Sequence, residues 1–237
     1  MSHTALHDVV ILGGGLAGLT LAMQLRRRVP TLDVLVLERR THPVPAATHK
    51  VGESTVEIGG RYFADTLGLK DHLMADQLKK FGFRFFFSHG RRDIENVTEL
   101  GASRPLPTGS WQIDRGLFEN FLVQEVQRRG IGFEGTAVVR RVALSTRETA
   151  GETTDEAAGA TAARPDAAAW HEVDWQRAGE PLQTVRSRWV IDACGRAGLL
   201  KRQLGLPMAN APPAHSSCSP TGPPLTVDGG TEPPALP

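Results

Sequence analysis

Gly13-Gly14-Gly15-Leu16-Ala17-Gly18 sets glycines in G-x-G-x-x-G spacing, with Ala22 four residues further on, and Glu38 follows Gly13 by 25 residues. Together these residues can cradle a dinucleotide. The first glycine admits a sharp turn, the second lets backbone N–H groups approach a pyrophosphate, and the third lets helix and strand pack closely. The amides around Leu16 and Ala17 open the helix, whose N-terminus then faces the phosphate charge. A carboxylate at Glu38 accepts hydrogen bonds from an adenosine ribose diol and repels a 2′-phosphate. Arg39 and Arg40 come after that acid and read as surface or phosphate-steering charges. Asp192-Ala193-Cys194-Gly195-Arg196 offers a second turn rich in backbone groups at a strand end, another nook where a cofactor can lie. The glycine motif by itself leaves FAD and NAD both open.

The flanking elements place these residues. Val9-Val10-Ile11-Leu12 and Val34-Leu35-Val36-Leu37 are short, wholly apolar runs, as buried parallel strands are. Between them the pattern predicts a helix from about Leu16 to Arg28, stopped by Pro30. Strand, helix and strand make a βαβ unit. Ser54-Thr55-Val56-Glu57 reads as a capping box opening a helix with Val56, Phe63 and Leu67 on one face and Gly68 as its stop. Phe81, Phe83, Phe85 and Phe87 alternate, predicting a strand with the phenylalanines on one side and Lys80 and Arg84 on the other. Trp111–Ile113 reads as a short strand, and Asp114 can cap a helix burying Phe118, Phe121, Leu122 and Val126. Val138–Leu144, Trp170–Arg177 and Thr184–Ile191 read as strands, the last feeding the Asp192 turn. An Ala/Thr/Glu-rich stretch at 148–169 is expected to be a flexible insert. Residues 207–237 hold nine prolines and little apolar periodicity, so a disordered tail is expected there.

Bulk properties exclude several classes. With 27 Lys and Arg against 26 Asp and Glu, the net charge of +1 gives no global pull toward nucleic acid or membrane. The apolar stretch from Val9 to Leu25 is broken by four glycines and does not suit a bilayer span. Only Cys194 and Cys218 occur, which makes no disulfide framework and fits a reducing, cytoplasmic location. No cluster with metal-ligand spacing stands out.

The chain resembles the flavin-dependent halogenases, within the FAD-dependent monooxygenase group of p-hydroxybenzoate hydroxylase fold. The resemblance rests on Gly13 to Ala22, Glu38-Arg39, Lys50-Val51-Gly52-Glu53-Ser54-Thr55, Trp111 to Arg115 and Val190 to Arg196, in that order, over about residues 7–206. The V-G-E-S-T element is the most specific of these to halogenase-like members. The expected fold is therefore α/β: a Rossmann-like FAD-binding βαβ domain with an inserted β-rich substrate-side segment. The resemblance implies that Gly13, Gly15, Gly18 and Glu38 hold the ADP half of FAD, and that Gly52, Glu53, Ser54 and Thr55 line the isoalloxazine side. Arg115, Asp192 and Gly195 would lie against the cofactor. Lys80 matches the position of the halogenases' catalytic lysine. There a flavin hydroperoxide reacts with halide, and an amine guides the hypohalous acid to a small, aromatic substrate. A separate flavin reductase is the implied electron source.

The sequence also departs from the halogenase pattern. Glu57 stands where a proline usually follows V-G-E-S-T-[IV], and no W-x-W-x-I-P occurs. The later G-D element is absent, so an incomplete flavin domain is expected. These departures keep two alternatives in view: an FAD-dependent monooxygenase or reductase without halide chemistry, and an inactive nucleotide-binding remnant.

Overall fold

Residues Val9 to Leu12 and Val34 to Leu37 are buried without alternation, which a strand achieves only when both faces of its sheet are covered. The computed structural model describes residues 4–46, 53–88, 90–101, 103–104, 108–145 and 170–206. In it, β1 (Ala5–Leu12) leads through α1 (Leu16–Arg28) to β2 (Val34–Leu37), the predicted βαβ unit. β1 pairs in parallel with β2 on one side and with a long late strand, β10 (Gln183–Asp192), on the other. The full sheet has the order β7-β2-β1-β10-β9-β8, where β7 is Gly132–Glu134, β8 is Val138–Ala143 and β9 is His171–Gln176. β7 is parallel to β2, while β9 and β8 continue antiparallel from β10. The result is a mixed α/β fold of Rossmann type with an antiparallel flank.

Alternate residues of β1 serve two cores. Val9 and Ile11 pack with Leu19 and Met23 of α1 and with Phe118, Leu122 and Val126 of a second long helix, α4 (Arg115–Arg128). Val10 and Leu12 point the other way, to Val142, Val173 and Trp175 of the antiparallel flank. Asp114 caps α4 as expected: its Oδ1 accepts from the Gly116 and Leu117 amides at 2.8 and 3.0 Å.

Between β2 and α4 lie α2 (Glu57–Arg61), a π-helical turn at Tyr62–Thr66, α3 (Lys70–Asp76) and two small ribbons. One ribbon pairs β3 (Leu78–Lys79) with β6 (Trp111–Gln112); the other pairs β4 (Arg84–Phe87) with β5 (Thr98–Gly101). The insertion stands where the sequence put it, but it is mixed, with helical turns leading into two short ribbons instead of a β-rich segment.

Three local expectations fail. Ser54 caps no helix: it bridges antiparallel to Gln112, and the helix begins at Glu57. Thr55 anchors that bridge, its hydroxyl both accepting from the Trp111 amide and donating to the Trp111 carbonyl. Val56 is therefore exposed, though Phe63 and Leu67 are buried and Gly68 ends the segment at φ +72°. The aromatic run is a strand only from Arg84 to Phe87, because Gly82 at φ +153° breaks it. All of Phe81, Phe83, Phe85, Phe86 and Phe87 are exposed, so no single face buries them. β7 has no sequence counterpart; its three residues are too few to show a period. The expected insert at 148–169 and tail at 207–237 lie outside the described residues.

Candidate functional site: a nucleotide cleft at the sheet's carboxyl edge

β1, β2 and β10 all end at the same edge of the sheet, where parallel strands of this kind hold ligands. There the Gly13 amide donates to the Leu37 carbonyl and the Ala193 amide to the Leu12 carbonyl, each at 2.8 Å. Three strand ends are thus stitched around the glycine turn. Gly13 has φ +109°, and a Cβ on it would lie 2.5 Å from the Ala193 carbonyl oxygen. A Cβ on Gly18 would lie 1.9 Å from the Gly13 carbonyl oxygen, so the third glycine sets how closely α1 meets β1. Gly15 is different: the nearest atom to its missing Cβ is Glu119 Oε1 at 3.9 Å. The backbone there faces open space at the first turn of α1.

That space is a cleft of about 510 Å³, within the range of roughly 300–1,000 Å³ that holds cofactors. Among its walls are Gly13, Gly15, Leu16, Ala17, Glu38, Arg39, Arg40, Arg115, Glu119 and Gly195. Glu38 is 5% exposed, and its Oε2 accepts from the Gly14 amide at 2.7 Å. Its Oε1 accepts from the Arg40 amide at 2.7 Å and from Arg40 Nε at 3.2 Å. Across the cleft Glu119, wholly buried, accepts from Arg115 Nη2 at 2.7 Å and from Arg40 Nη2 at 3.2 Å. Burial opposes the charge on Arg40, but Glu38 and Glu119 outweigh it and raise its pKa. Arg115 Nε is buried with no protein partner. An orphaned cationic donor beside an open helix N-terminus is what a phosphate oxygen would satisfy.

Most of the expected cofactor residues meet here: Gly13, Gly15, Leu16, Ala17, Glu38, Arg39, Arg115 and Gly195 line the cleft, with Gly18 packed beneath it. Asp192 does not face it. Its two carboxylate oxygens accept from the Cys194 amide at 3.0 Å and the Leu200 amide at 2.8 Å, which fixes the turn carrying Gly195. Cys194 lines the cleft as a thiol; burial, then Asp192, push its pKa up to about 12, and it donates to the Leu12 carbonyl.

Glu53, Ser54, Thr55 and Lys80 form a second group away from the cleft lining. Ile113 donates its amide to the Glu53 carbonyl, and Lys80 Nζ donates to the Thr55 carbonyl at 2.8 Å while standing 4.5 Å from the Phe83 ring centre. Gly52 lies outside the described residues. Arg40, expected as a surface or phosphate-steering charge, instead bridges Glu38 and Glu119, and Glu119 is a cleft residue that the sequence left unread. The available signal for Glu119 was its i,i+4 spacing from Arg115 beside Phe118 and Leu122. Among the described residues, no group of three or more His, Cys, Asp or Glu could hold a metal, and no helix is long and apolar enough to cross a membrane.

Residues 11–78 match a family described as NAD(P)-binding Rossmann-like domain. The flavin-dependent halogenase chlA of Dictyostelium discoideum is 31% identical over 131 residues, which is 52% of this chain and 22% of that protein. A flavoprotein/dehydrogenase from Cytophaga hutchinsonii superposes with a TM-score of 0.62 at 20% identity, over 86% of this chain and 44% of that one. CmlS, a flavin-dependent halogenase, gives 0.59 at 24% identity over 86% and 32%. The flavin-dependent brominase Bmp2 gives 0.59 at 22% over 84% and 40%. The solved structures share the fold, and the chain is similar to the N-terminal portion of flavin-dependent halogenases. It spans less than half the length of each of these relatives.

Proposed function

We propose that this chain is the FAD-cradling portion of a halogenase-like oxidoreductase acting on a small, aromatic organic substrate. The observation that carries the reading is the cleft, where an open Gly15, the α1 N-terminus, the Glu38 carboxylate and the unpartnered Arg115 Nε converge. Gly15, Leu16 and Ala17 would present amides to the pyrophosphate, and Gly13 would shape the turn that carries them. Glu38 would accept from the ribose diol, and Arg115 Nε would donate to a phosphate oxygen. The Asp192-held turn would bring Gly195 against the cofactor. Bound FAD, once reduced, supplies the reaction with oxygen that makes the oxidant.

Lys80 is the catalytic side chain of this proposal. The Thr55 carbonyl holds its ammonium, and the exposed Phe83 ring beside it gives an arene a face to stack on. The second reading is an FAD-dependent monooxygenase or reductase without halide chemistry, favoured by Glu57 in the place of the usual proline. A separate flavin reductase as electron donor and a cytoplasmic location belong to the same proposal, the latter argued from the low cysteine count.

The test supplies purified protein with enzymatically reduced FAD, oxygen, bromide and an electron-rich phenol. Brominated phenol that disappears on omitting halide supports the halogenase. Hydroxylated product independent of halide supports the second reading. Bound FAD with neither product would reduce the chain to a cradle.

A further inference from the structure

Two residues that cost the fold stability line one cavity outside the nucleotide cleft. The first is His42. A neutral imidazole brings one donor and one acceptor, and buried polar atoms are paired in the great majority. Yet both ring nitrogens of His42 are buried without a hydrogen-bond partner among the described residues. Asn120, in the same wall, gives its carboxamide to Val44, accepting from the amide and donating to the carbonyl at 2.7 Å each. The His42 ring stands edge-on to Phe133, with centroids 5.3 Å apart, and burial lowers its pKa, which favours the neutral form. The second is Thr136, at φ +57°, a conformation that favours glycine and is an outlier for a β-branched residue. Backbone strain of this kind gathers at functional sites.

The cavity measures about 460 Å³ and lies between the 41–43 segment, α4 and the turn after β7, a size within the roughly 300–1,000 Å³ of small-molecule sites. It shares no wall residue with the nucleotide cleft. The arginine in its wall is fully engaged: Arg177 Nε donates to the Gly135 carbonyl and Nη1 to Glu180, each at 3.3 Å, and Nη2 donates to Glu134. The polar groups left to a ligand are neutral. They are the His42 imidazole and the carboxamides of Gln124 and Gln127, exposed positions three residues apart on α4. Phe133, Pro43 and Val123 supply the apolar wall.

The geometry points to a second ligand site, built for a neutral, planar heteroaromatic molecule that carries an amide. The amide edge would pair with the His42 nitrogens and the glutamine carboxamides, each of which can give and accept a hydrogen bond. The ring would lie against Phe133, Pro43 and Val123. An anion finds no free cation in this wall, and burying its charge unpaired is costly. The site does not depend on the nucleotide reading, because neither cavity borrows a residue from the other.

The experiment titrates purified protein with nicotinamide, and with benzoate as its charged counterpart, by ligand-observed NMR, with and without ADP and with thermal melts alongside. Nicotinamide should bind saturably with a Kd in the millimolar range, as its size allows, and ADP should not displace it. Benzoate should bind about tenfold more weakly or not at all. His42→Leu should abolish nicotinamide binding while the melting temperature holds or rises, because an unpaired buried polar ring gives way to an apolar side chain. Gln124→Ala, at an exposed position, should weaken binding by about threefold or more, the scale of one neutral hydrogen bond. No saturable binding to the wild type overturns the site. Displacement by ADP overturns it too, since the probe would then occupy the nucleotide cleft, and equal binding of benzoate overturns the ligand class. Binding that survives His42→Leu, or a lower melting temperature in that variant, makes His42 a structural residue and sinks the inference. Should His42→Leu not fold, Gln124→Ala decides: an unchanged Kd overturns the site.

Discussion

The Gly14 amide donates to Glu38 Oε2 at 2.7 Å, tying the glycine turn to the acid at the tip of β2. A Cβ on Gly14 would stand 2.7 Å from the Glu38 Cβ, so the two backbones meet with no room between them. One carboxylate thus shapes the turn and lines the cleft.

Glu38→Gln should weaken ADP binding by roughly tenfold or more, because it replaces a charged acceptor worth about 1.5–3 kcal/mol. Calorimetry with ADP and 2′-deoxy-ADP checks the cause. The variant should lose the wild type's preference for the intact ribose; a preference that survives would assign the ribose to another residue.

Two of the motif glycines should fail differently. Gly18→Ala drives a methyl into the Gly13 carbonyl and should cost about 3 kcal/mol or more of stability, at the upper end of overpacking. The Cβ that Gly15→Val adds meets no protein atom closer than 3.9 Å. It should fold near normally while losing nucleotide binding. Urea denaturation and ADP titration, run on both variants, separate the two effects.

Stability should fall as pH drops below about 6.5. Burial lowers the pKa of His42, His72 and His171, so each is more readily protonated in the unfolded chain. The unfolded state then binds more protons below the ordinary histidine pKa, and stability declines until each folded-state pKa is passed. His72 is the leading case, stacked 3.7 Å from Phe121 and paired with Asp76. Unfolding free energies at pH 7 and pH 5.5 should converge in His72→Gln relative to the wild type. A second decline, below the ordinary carboxylate range, should follow from Glu125 and Asp174. Hydrogen bonds, first from Arg128 and Thr184 respectively, hold their pKa values down.

Cys194 should be inert. With its pKa pushed up to about 12, almost no thiolate exists at pH 8, and the thiolate is the nucleophile. In a Cys218→Ser background, a disulfide reagent at pH 8 should modify native protein at least about tenfold more slowly than denatured protein. Equal rates would contradict the burial of this thiol.

The sequence made the glycine turn and its flanking strands legible where spacing alone carries the geometry. Gly13, Gly15, Gly18 and Glu38 stand where the βαβ pattern puts them, because two wholly apolar strands leave only one way to connect through the sheet. Asp114 as a cap was readable for the same local reason. What stayed hidden depends on contacts between distant segments. Ser54 carries the letters of a capping box, but pairing with Gln112 holds it extended. The alternating phenylalanines read as one side of a single strand, but Gly82 at φ +153° confines the strand to Arg84–Phe87. Asp192 looks like a ligand residue but fixes its own turn. Glu119 carries no signal beyond its spacing from Arg115, and only the fold brings Arg40 to it from 79 positions away.

The central claim is that this cleft binds FAD through its ADP half. Titration of purified protein with FAD, read by flavin fluorescence and by competition with ADP, tests it most directly. Saturable 1:1 binding is expected, displaced by ADP and abolished by Gly15→Val in a folded protein. FAD binding that ADP does not displace, or that Gly15→Val leaves unchanged, would contradict it, as would a folded wild type that takes up no flavin.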